Sequence, residues 1–454
     1  MKILCLCDSP TLTSGFARVA QNLFKRWARS GAKIDVWGIA FMGWGYKNVP
    51  YINELFPAGV SGQWNHPDHL RVFLQQLRTG GYTHVWLMQD TFLLSLHDFP
   101  KALKDVCKEK GIRSMLYYPV DAPLKPEWTD IIAAVDVAVA YTEYGMLETQ
   151  RAYARRVQQL RAADRTKLIA AALAAGQPVP PAEVEEPDEL AIEILPHGVD
   201  TAVYRPLGDR ERTRETFWVK PWLKPGDFLM LNVNSHQRRK DVTRSLEILA
   251  ELKALGVPAK LVMHMSALSD IDVNLEVVGE QLGLTLYEDW VHHGQLFHLG
   301  QGSLPETAPV GQPSLVQLYN LADLYLTTTR GEGWGLGITE ALACGTPVAM
   351  PGHTACGDLM EMFACAGQSN RYVCLPAEGG CDVLEGDNSR CRPRVNLREA
   401  GQRIKDYYEM GSWRQREVLN PFLTNEFSWD RIAREMLHRL KSPKPTTAPE
   451  TIAD

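Results

Sequence analysis

The sequence predicts an α/β protein of two domains, each a doubly wound parallel sheet flanked by helices. Three observations predict it. The chain has 454 residues, more than one hydrophobic core ordinarily fills. Short apolar runs alternate with segments of helical periodicity, and this alternation starts twice. A Gly-rich loop in the second half follows an apolar run and opens a helical segment, the arrangement that brings backbone amides against phosphate.

The first alternation opens at Ile3–Cys7, a buried strand, followed by a loop from Asp8 to Gly15 rich in Ser, Thr, Pro and Gly. Phe16, Val19, Ala20, Leu23, Phe24 and Trp27 then fall on one helical face, with Gly31 as a stop signal. Ile34–Ile39, Val85–Met88, Met115–Tyr118 and Val135–Ala140 read as further strands of the same sheet. Residues 151–190 break the pattern: Arg151–Ala174 is a basic, Ala-rich helical run and Gly176–Glu189 is Pro- and Glu-rich, so an insertion with a flexible second half is expected. Ile192–Leu195 resumes as a strand. The second alternation comprises strands at Phe228–Val233, Leu261–Met265, Leu324–Thr327 and Val348–Met350, with helices at Thr243–Ala254 and Leu315–Leu321. These readings give a first domain over residues 1–205, a second over 206–425, a terminal helix over 426–441 and a disordered tail over 442–454.

Hydrophobic residues make up 45% and charged residues 22% of the chain, as in globular proteins. The apolar start is too short for a signal peptide, and no later run reaches the length of a membrane span, which predicts a cytoplasmic protein without a membrane anchor. Net charge is -6. Residues 1–182 carry 21 Lys and Arg against 15 Asp and Glu, while the remainder carries 27 against 39. A basic first half suits an anionic acceptor, and solvated helix faces account for it equally. The nine Cys include buried-looking Cys5, Cys7 and Cys107 and a cluster at Cys356, Cys365, Cys374, Cys381 and Cys391. The cluster lacks the short paired spacing of common zinc sites, so free thiols are the expectation.

The densest signal is Arg330-Gly331-Glu332-Gly333-Trp334-Gly335-Leu336-Gly337-Ile338-Thr339-Glu340, continuing as Ala341-Leu342-Ala343-Cys344-Gly345-Thr346-Pro347. Alternating Gly residues admit a ligand to the backbone. The amides of Gly335, Leu336 and Gly337 stand at a helix start, where unpaired N–H groups and the helix dipole favour phosphate. Glu332 and Glu340 flank that cradle, placed to grip hydroxyls at both ends of a sugar nucleotide. A capped helix with acidic residues near its positive end is the plainer alternative.

This segment resembles the signature of the retaining GT-B glycosyltransferases, in the large family that includes sucrose and glycogen synthases. The resemblance implies two Rossmann-like domains facing a central cleft, with a C-terminal helix crossing back to the first. It also implies transfer of a sugar from a nucleotide-diphosphate sugar, typically a UDP-sugar, with retention. In the family, the Glu332 position contacts the donor sugar and the Glu340 position holds the ribose hydroxyls. Ser14 and Gly15, in Thr13-Ser14-Gly15-Phe16-Ala17-Arg18-Val19, resemble the glycine loop facing the donor. Pro196-His197-Gly198-Val199-Asp200 resembles the family's Asn-Gly-Val-Asp, with His197 in place of Asn. Asn232 to Asp241 resembles the segment that supplies an Arg and a Lys to the diphosphate, here Lys240 with Arg238 or Arg239. Phe427-Ser428-Trp429-Asp430 resembles the point where the terminal helix crosses back. Asp121, in Tyr117-Tyr118-Pro119-Val120-Asp121-Ala122-Pro123, stands where the family meets the sugar or acceptor. The expected catalytic set is therefore Glu332, Lys240, Arg239 and Asp121, with no metal and no cofactor beyond the nucleotide sugar.

The acceptor is open on sequence. Trp44 and Tyr46, in the aromatic loop after the second strand, can stack on sugars or on nucleobases. The opening Asp8-Ser9-Pro10-Thr11 is similar to phage-encoded members of the family, some of which modify hydroxymethylated bases in DNA. That makes hydroxymethylated DNA one candidate and a saccharide or lipid-linked acceptor another. Arg151, Arg155, Arg156 and Arg161 lie at roughly helical spacing and would form the cationic face a DNA acceptor needs. Asp270-Ile271-Asp272 matches a metal-binding Asp-x-Asp of another glycosyltransferase fold, and a helix cap before Asn274 explains it better. A nucleotide-sugar epimerase and a non-catalytic sensor of sugar nucleotides are the remaining alternatives.

Overall fold

The computed structural model describes residues 1–12, 14–39, 49–58, 67–175, 177, 189–208, 214, 222–269, 273–292, 314–414 and 421–442. Trp44 and Tyr46, with Asp270 and Asp272, lie outside them. The chain forms two compact units, Met1–Pro119 with Leu124–Pro196 and Ile432–Asp454, and Val120–Pro123 with His197–Arg431.

The first unit carries a 7-stranded sheet. Its strands are β1 (Lys2–Asp8), β2 (Lys33–Ile39), β3 (Glu54–Ala58), β4 (His84–Leu87), β5 (Arg113–Tyr118), β6 (Val137–Ala140) and β7 (Ile192–Ile194). The order is β3-β2-β1-β4-β5-β6-β7, and every pairing is parallel. Strands buried on both faces are near-continuous apolar runs, and Ile3, Leu4, Cys5, Leu6 and Cys7 are fully buried. The helix Gly15–Arg29 follows β1; Ser14 caps it by accepting from the Ala17 amide at 3.1 Å. Its predicted face, with Val19, Leu23, Phe24 and Trp27, is buried. The Trp27 indole N–H donates to the Ala433 carbonyl at 2.9 Å, which fixes the last helix, Trp429–Lys441, to this unit.

The second unit carries a 6-stranded parallel sheet. Its strands are β8 (Phe228–His236), β9 (Ala259–Ser269), β10 (Trp290–His292), β11 (Leu324–Leu326), β12 (Val348–Pro351) and β13 (Tyr372–Leu375). The order is β10-β9-β8-β11-β12-β13, so direction along the sheet reverses at β8 and β11, where open α/β sheets bind ligands beyond their carboxyl ends. Leu246, Ile248, Leu249 and Leu252 of helix Val242–Ala254 pack into this unit's core.

Three findings differ from expectation. Residues 197–205, expected with the first domain, belong to the second unit: the Val199 amide donates to the Phe427 carbonyl at 2.7 Å, and a Cβ on Gly198 would meet the Trp429 ring at 2.4 Å. Cys381 and Cys391 form a disulfide rather than free thiols. The cause is a short antiparallel hairpin, β14 (Asp382–Val383) with β15 (Cys391–Arg392), which sets the two Cα atoms 5.5 Å apart, within disulfide range. The basic run lies on one helix, Glu143–Ala174, but it is partly neutralised. Arg156 pairs with Asp130 at 2.5 Å, while Arg151 and Arg155 lie 3.6 and 3.5 Å from Glu148.

Candidate functional site

In the second unit the expected donor residues gather at the carboxyl ends of adjacent strands. β8 runs into a 3₁₀ turn, Arg238–Lys240, and Asp241 at φ 44° turns the chain into the next helix. β11 runs through Thr327, Thr328 and Thr329 into the Gly-rich loop. The two segments are stitched together: the Arg330 amide donates to the Arg239 carbonyl at 2.7 Å, and the Thr328 hydroxyl donates to the Asp241 carbonyl at 2.8 Å.

Lys240 Nζ lies 2.5 Å from Glu332 Oε1, and both side chains are about nine-tenths buried. Arg239 Nη1 lies 3.9 Å from the other oxygen of Glu332 and donates to the Gly331 carbonyl at 3.2 Å. Burial pushes the Lys240 ammonium down, as does neighbouring Arg239, while Glu332 opposes both. Arg238 instead turns outward, 3.8 Å from Glu385. Of the basic triplet, Arg239 and Lys240 face Glu332.

Glu332 is held through its backbone, its amide donating to Thr354 Oγ1 at 3.1 Å and its carbonyl accepting from the Ala355 amide at 3.3 Å. Gly335 at φ 94° starts the helix Leu336–Ala343. Gly337 is required by contact, since a Cβ there would meet the Tyr325 hydroxyl at 2.5 Å. Glu340 is buried and accepts from the Tyr319 hydroxyl at 2.9 Å. His197 is buried, its ring 5.7 Å from that of Trp334 and 6.1 Å from that of Trp429. Burial lowers its pKa to about 3, so the ring is neutral.

Asp121 belongs to this unit, and its partners were not foreseen. Arg390 Nη1 donates to Asp121 Oδ1 at 2.8 Å, Arg392 Nη2 to the same oxygen at 3.2 Å, and Arg392 Nη1 to the Asp121 carbonyl at 2.8 Å. Arg239 lies 3.7 Å from its other oxygen. Burial alone would raise the Asp121 carboxyl, but Arg392, Arg239 and Arg390 outweigh it and hold the group well below the usual carboxylate range. Both hairpin arginines also bind Asp387, Arg390 at 2.6 Å. Gly331 closes against this knot, since a Cβ would stand 1.9 Å from the Asp121 carbonyl oxygen. The signal for these arginines was present as Arg390-Cys391-Arg392-Pro393-Arg394, a period of two that puts basic residues on one face of a strand.

Ser14 and Gly15 belong to the first unit. The Ser14 hydroxyl donates to Asp8, whose other carboxylate oxygen accepts from Gln89 at 3.1 Å. Burial pushes the Asp8 carboxyl up to about 6, against the lowering effect of those hydrogen bonds. Among the described residues no three His, Cys, Asp or Glu side chains cluster to hold a metal, and no helix is long and apolar enough to cross a membrane.

Residues 214–351 match the family described as Glycosyl transferases group 1. A D-inositol 3-phosphate glycosyltransferase of Rhodococcus erythropolis is 29% identical over 167 residues, 36% of this chain and 33% of that protein. One from Segniliparus rotundus is 30% identical over 162 residues, 36% of this chain and 32% of its own. The chain thus matches about a third of the length of these relatives. Among solved structures, a sucrose-phosphate synthase from Thermosynechococcus elongatus superposes with TM-score 0.64 at 13% identity, covering 96% of this chain and 98% of that one. A glycosyltransferase from Rickettsia africae gives 0.59 at 13%, covering 97% of each. At such identities the likeness is one of fold. Two parallel sheets and that likeness over the full length give the chain the GT-B fold, and within it residues 214–351 match the group 1 glycosyl transferases.

Proposed function

We propose that the protein transfers a glycosyl group from a nucleotide-diphosphate sugar to a hydroxyl acceptor, with retention at the anomeric carbon and without a metal ion. One observation carries the reading: Lys240 and Arg239 converge on Glu332 at the mouth of a Gly-rich loop that opens a helix, with Glu340 inside that helix. In this reading the bond from the anomeric carbon to the diphosphate oxygen breaks as the acceptor oxygen bonds on the same face. Charge on the leaving diphosphate is met by Lys240, Arg239 and the amides of Gly335, Leu336 and Gly337. The acceptor proton passes to a leaving phosphate oxygen. Glu340 holds the ribose hydroxyls, with Tyr319 fixing its carboxylate, and Glu332 orients the sugar.

For the acceptor, a saccharide or polyol hydroxyl is favoured over hydroxymethylated DNA. The basic helix that would meet DNA spends Arg151, Arg155 and Arg156 on Glu148 and Asp130, and the names of the relatives put an inositol phosphate first in a screen. Purified protein is to be incubated with labelled UDP- and GDP-sugars in EDTA, against inositol phosphate, oligosaccharides and hydroxymethylated DNA. Products are read by mass spectrometry and anomeric NMR. Transfer with retention is expected. Failure to bind or consume any nucleotide sugar overturns the reading, and activity lost in EDTA and restored by manganese overturns its metal-free part.

A further inference from the structure

The loop after β12 carries a half-buried imidazole that the donor reading leaves unused. β12 ends at Pro351, and Gly352, His353 and Thr354 lead into the helix Ala355–Cys365. Thr354 takes φ 53°, a left-handed conformation that costs a β-branched residue. It is held there because its hydroxyl accepts from the Glu332 amide at 3.1 Å and donates to the His353 carbonyl at 2.7 Å. With the Ala355 amide on the Glu332 carbonyl at 3.3 Å, this loop is pinned to the backbone of Glu332, and His353 stands within its electrostatic reach.

Both ring nitrogens of His353 are buried, and neither has a hydrogen-bond partner among the described residues. Leaving such a donor or acceptor unmade is costly, so a partner beyond the described residues is called for, and a bound ligand can supply it. Burial first and Arg392 second push the ring down to about 4, against the opposing pull of Glu332, so at neutral pH it is uncharged. A neutral imidazole offers one donor and one acceptor. A phosphate oxygen uses only donors, and cations serve it better. A hydroxyl both donates and accepts, and so can partner either ring nitrogen, whichever carries the proton.

We propose that His353 binds a ring hydroxyl of the donor sugar beside Glu332 and thereby selects among sugars. The proposal rests on the nucleotide-sugar reading of the site.

The test begins with wild-type calorimetry against UDP, UDP-glucose, UDP-galactose, GDP and GDP-mannose. Binding of none of them overturns the donor reading itself, and this proposal with it. With the bound pair in hand, H353F should leave affinity for the nucleoside diphosphate within about twofold and weaken the nucleotide sugar about tenfold. H353N, which keeps a donor and an acceptor, should retain most of that affinity. Deoxy donors complete the cycle: one deoxy position should weaken wild-type binding and leave H353F indifferent. Should H353F fail to fold, H353A is carried through the same cycle. Equal weakening of nucleotide and nucleotide sugar, or undiminished hydroxyl discrimination in the variants, overturns the proposal.

Discussion

At the scale of single residues, the site rests on charged groups whose partners are already fixed in the protein. Glu340 is buried with Tyr319 on one oxygen, so it is oriented before any ligand arrives. Glu340→Ala should weaken nucleotide-sugar binding by about 1.5–3 kcal/mol, read by calorimetry; unchanged affinity would remove the ribose role. Lys240 differs because leaving-group charge grows toward the transition state. Lys240→Ala should lower kcat by more than it raises the donor dissociation constant, read by single-turnover kinetics; unchanged turnover with chemistry rate-limiting would exclude it. Lys240, Glu332 and Glu340 were legible in the sequence because they sit inside one contiguous Gly-rich pattern or directly after a strand. Arg390 and Arg392 were not legible as site residues. They reach Asp121 across 269 and 271 positions of chain; their alternating spacing marks a basic strand face, but nothing local says which carboxylate it meets.

At the scale of elements, strands that are largely apolar runs were legible, among them Ile3–Cys7 and Phe228–Val233, because burial on both faces favours apolar residues; the one polar residue in these two runs, Asn232, is buried and donates to the Ser245 hydroxyl. Those missed are short or mixed. β3 contains Pro57, which an edge strand tolerates. β10 has only Trp290–His292, and β13 lies among cysteines that suggested a different grouping. The hairpin β14–β15 was also missed, although it supplies the arginines that hold Asp121. Arg392 is fully buried between Asp121 and Asp387. Removing one partner of a buried ionic knot leaves the others uncompensated. Arg392→Ala should therefore destabilise the protein by about 3–5 kcal/mol, measured by denaturant unfolding. A change below about 1 kcal/mol would show that the knot is incidental.

For the whole molecule, stability should respond to pH through groups that oppose one another. Asp8 holds its proton more tightly folded, at about 6 against an ordinary 3.8. Its contribution is therefore present in acid and is lost as pH rises through the interval from about 4 to about 6. The loss is worth about 3 kcal/mol. Asp121 runs the other way, because its folded carboxyl is depressed: its contribution is present above the ordinary range and disappears in strong acid. Asp8→Asn should flatten the fall between about pH 4 and 6 and leave the loss in strong acid in place, as read from unfolding free energies from strong acid to neutral pH; an unaltered profile would show that Asp8 does not titrate there.

The four residues Val120–Pro123 count with the second unit, although the chain around them builds the first. A gene cut once at the junction of the units would separate Asp121 from Arg390 and Arg392. The downstream piece would then carry a buried guanidinium with half its counter-charge gone. The two halves are consequently not interchangeable cassettes. An exchange of the downstream half between related genes would have to carry this tetrapeptide along, or arrive with a hairpin that does without it.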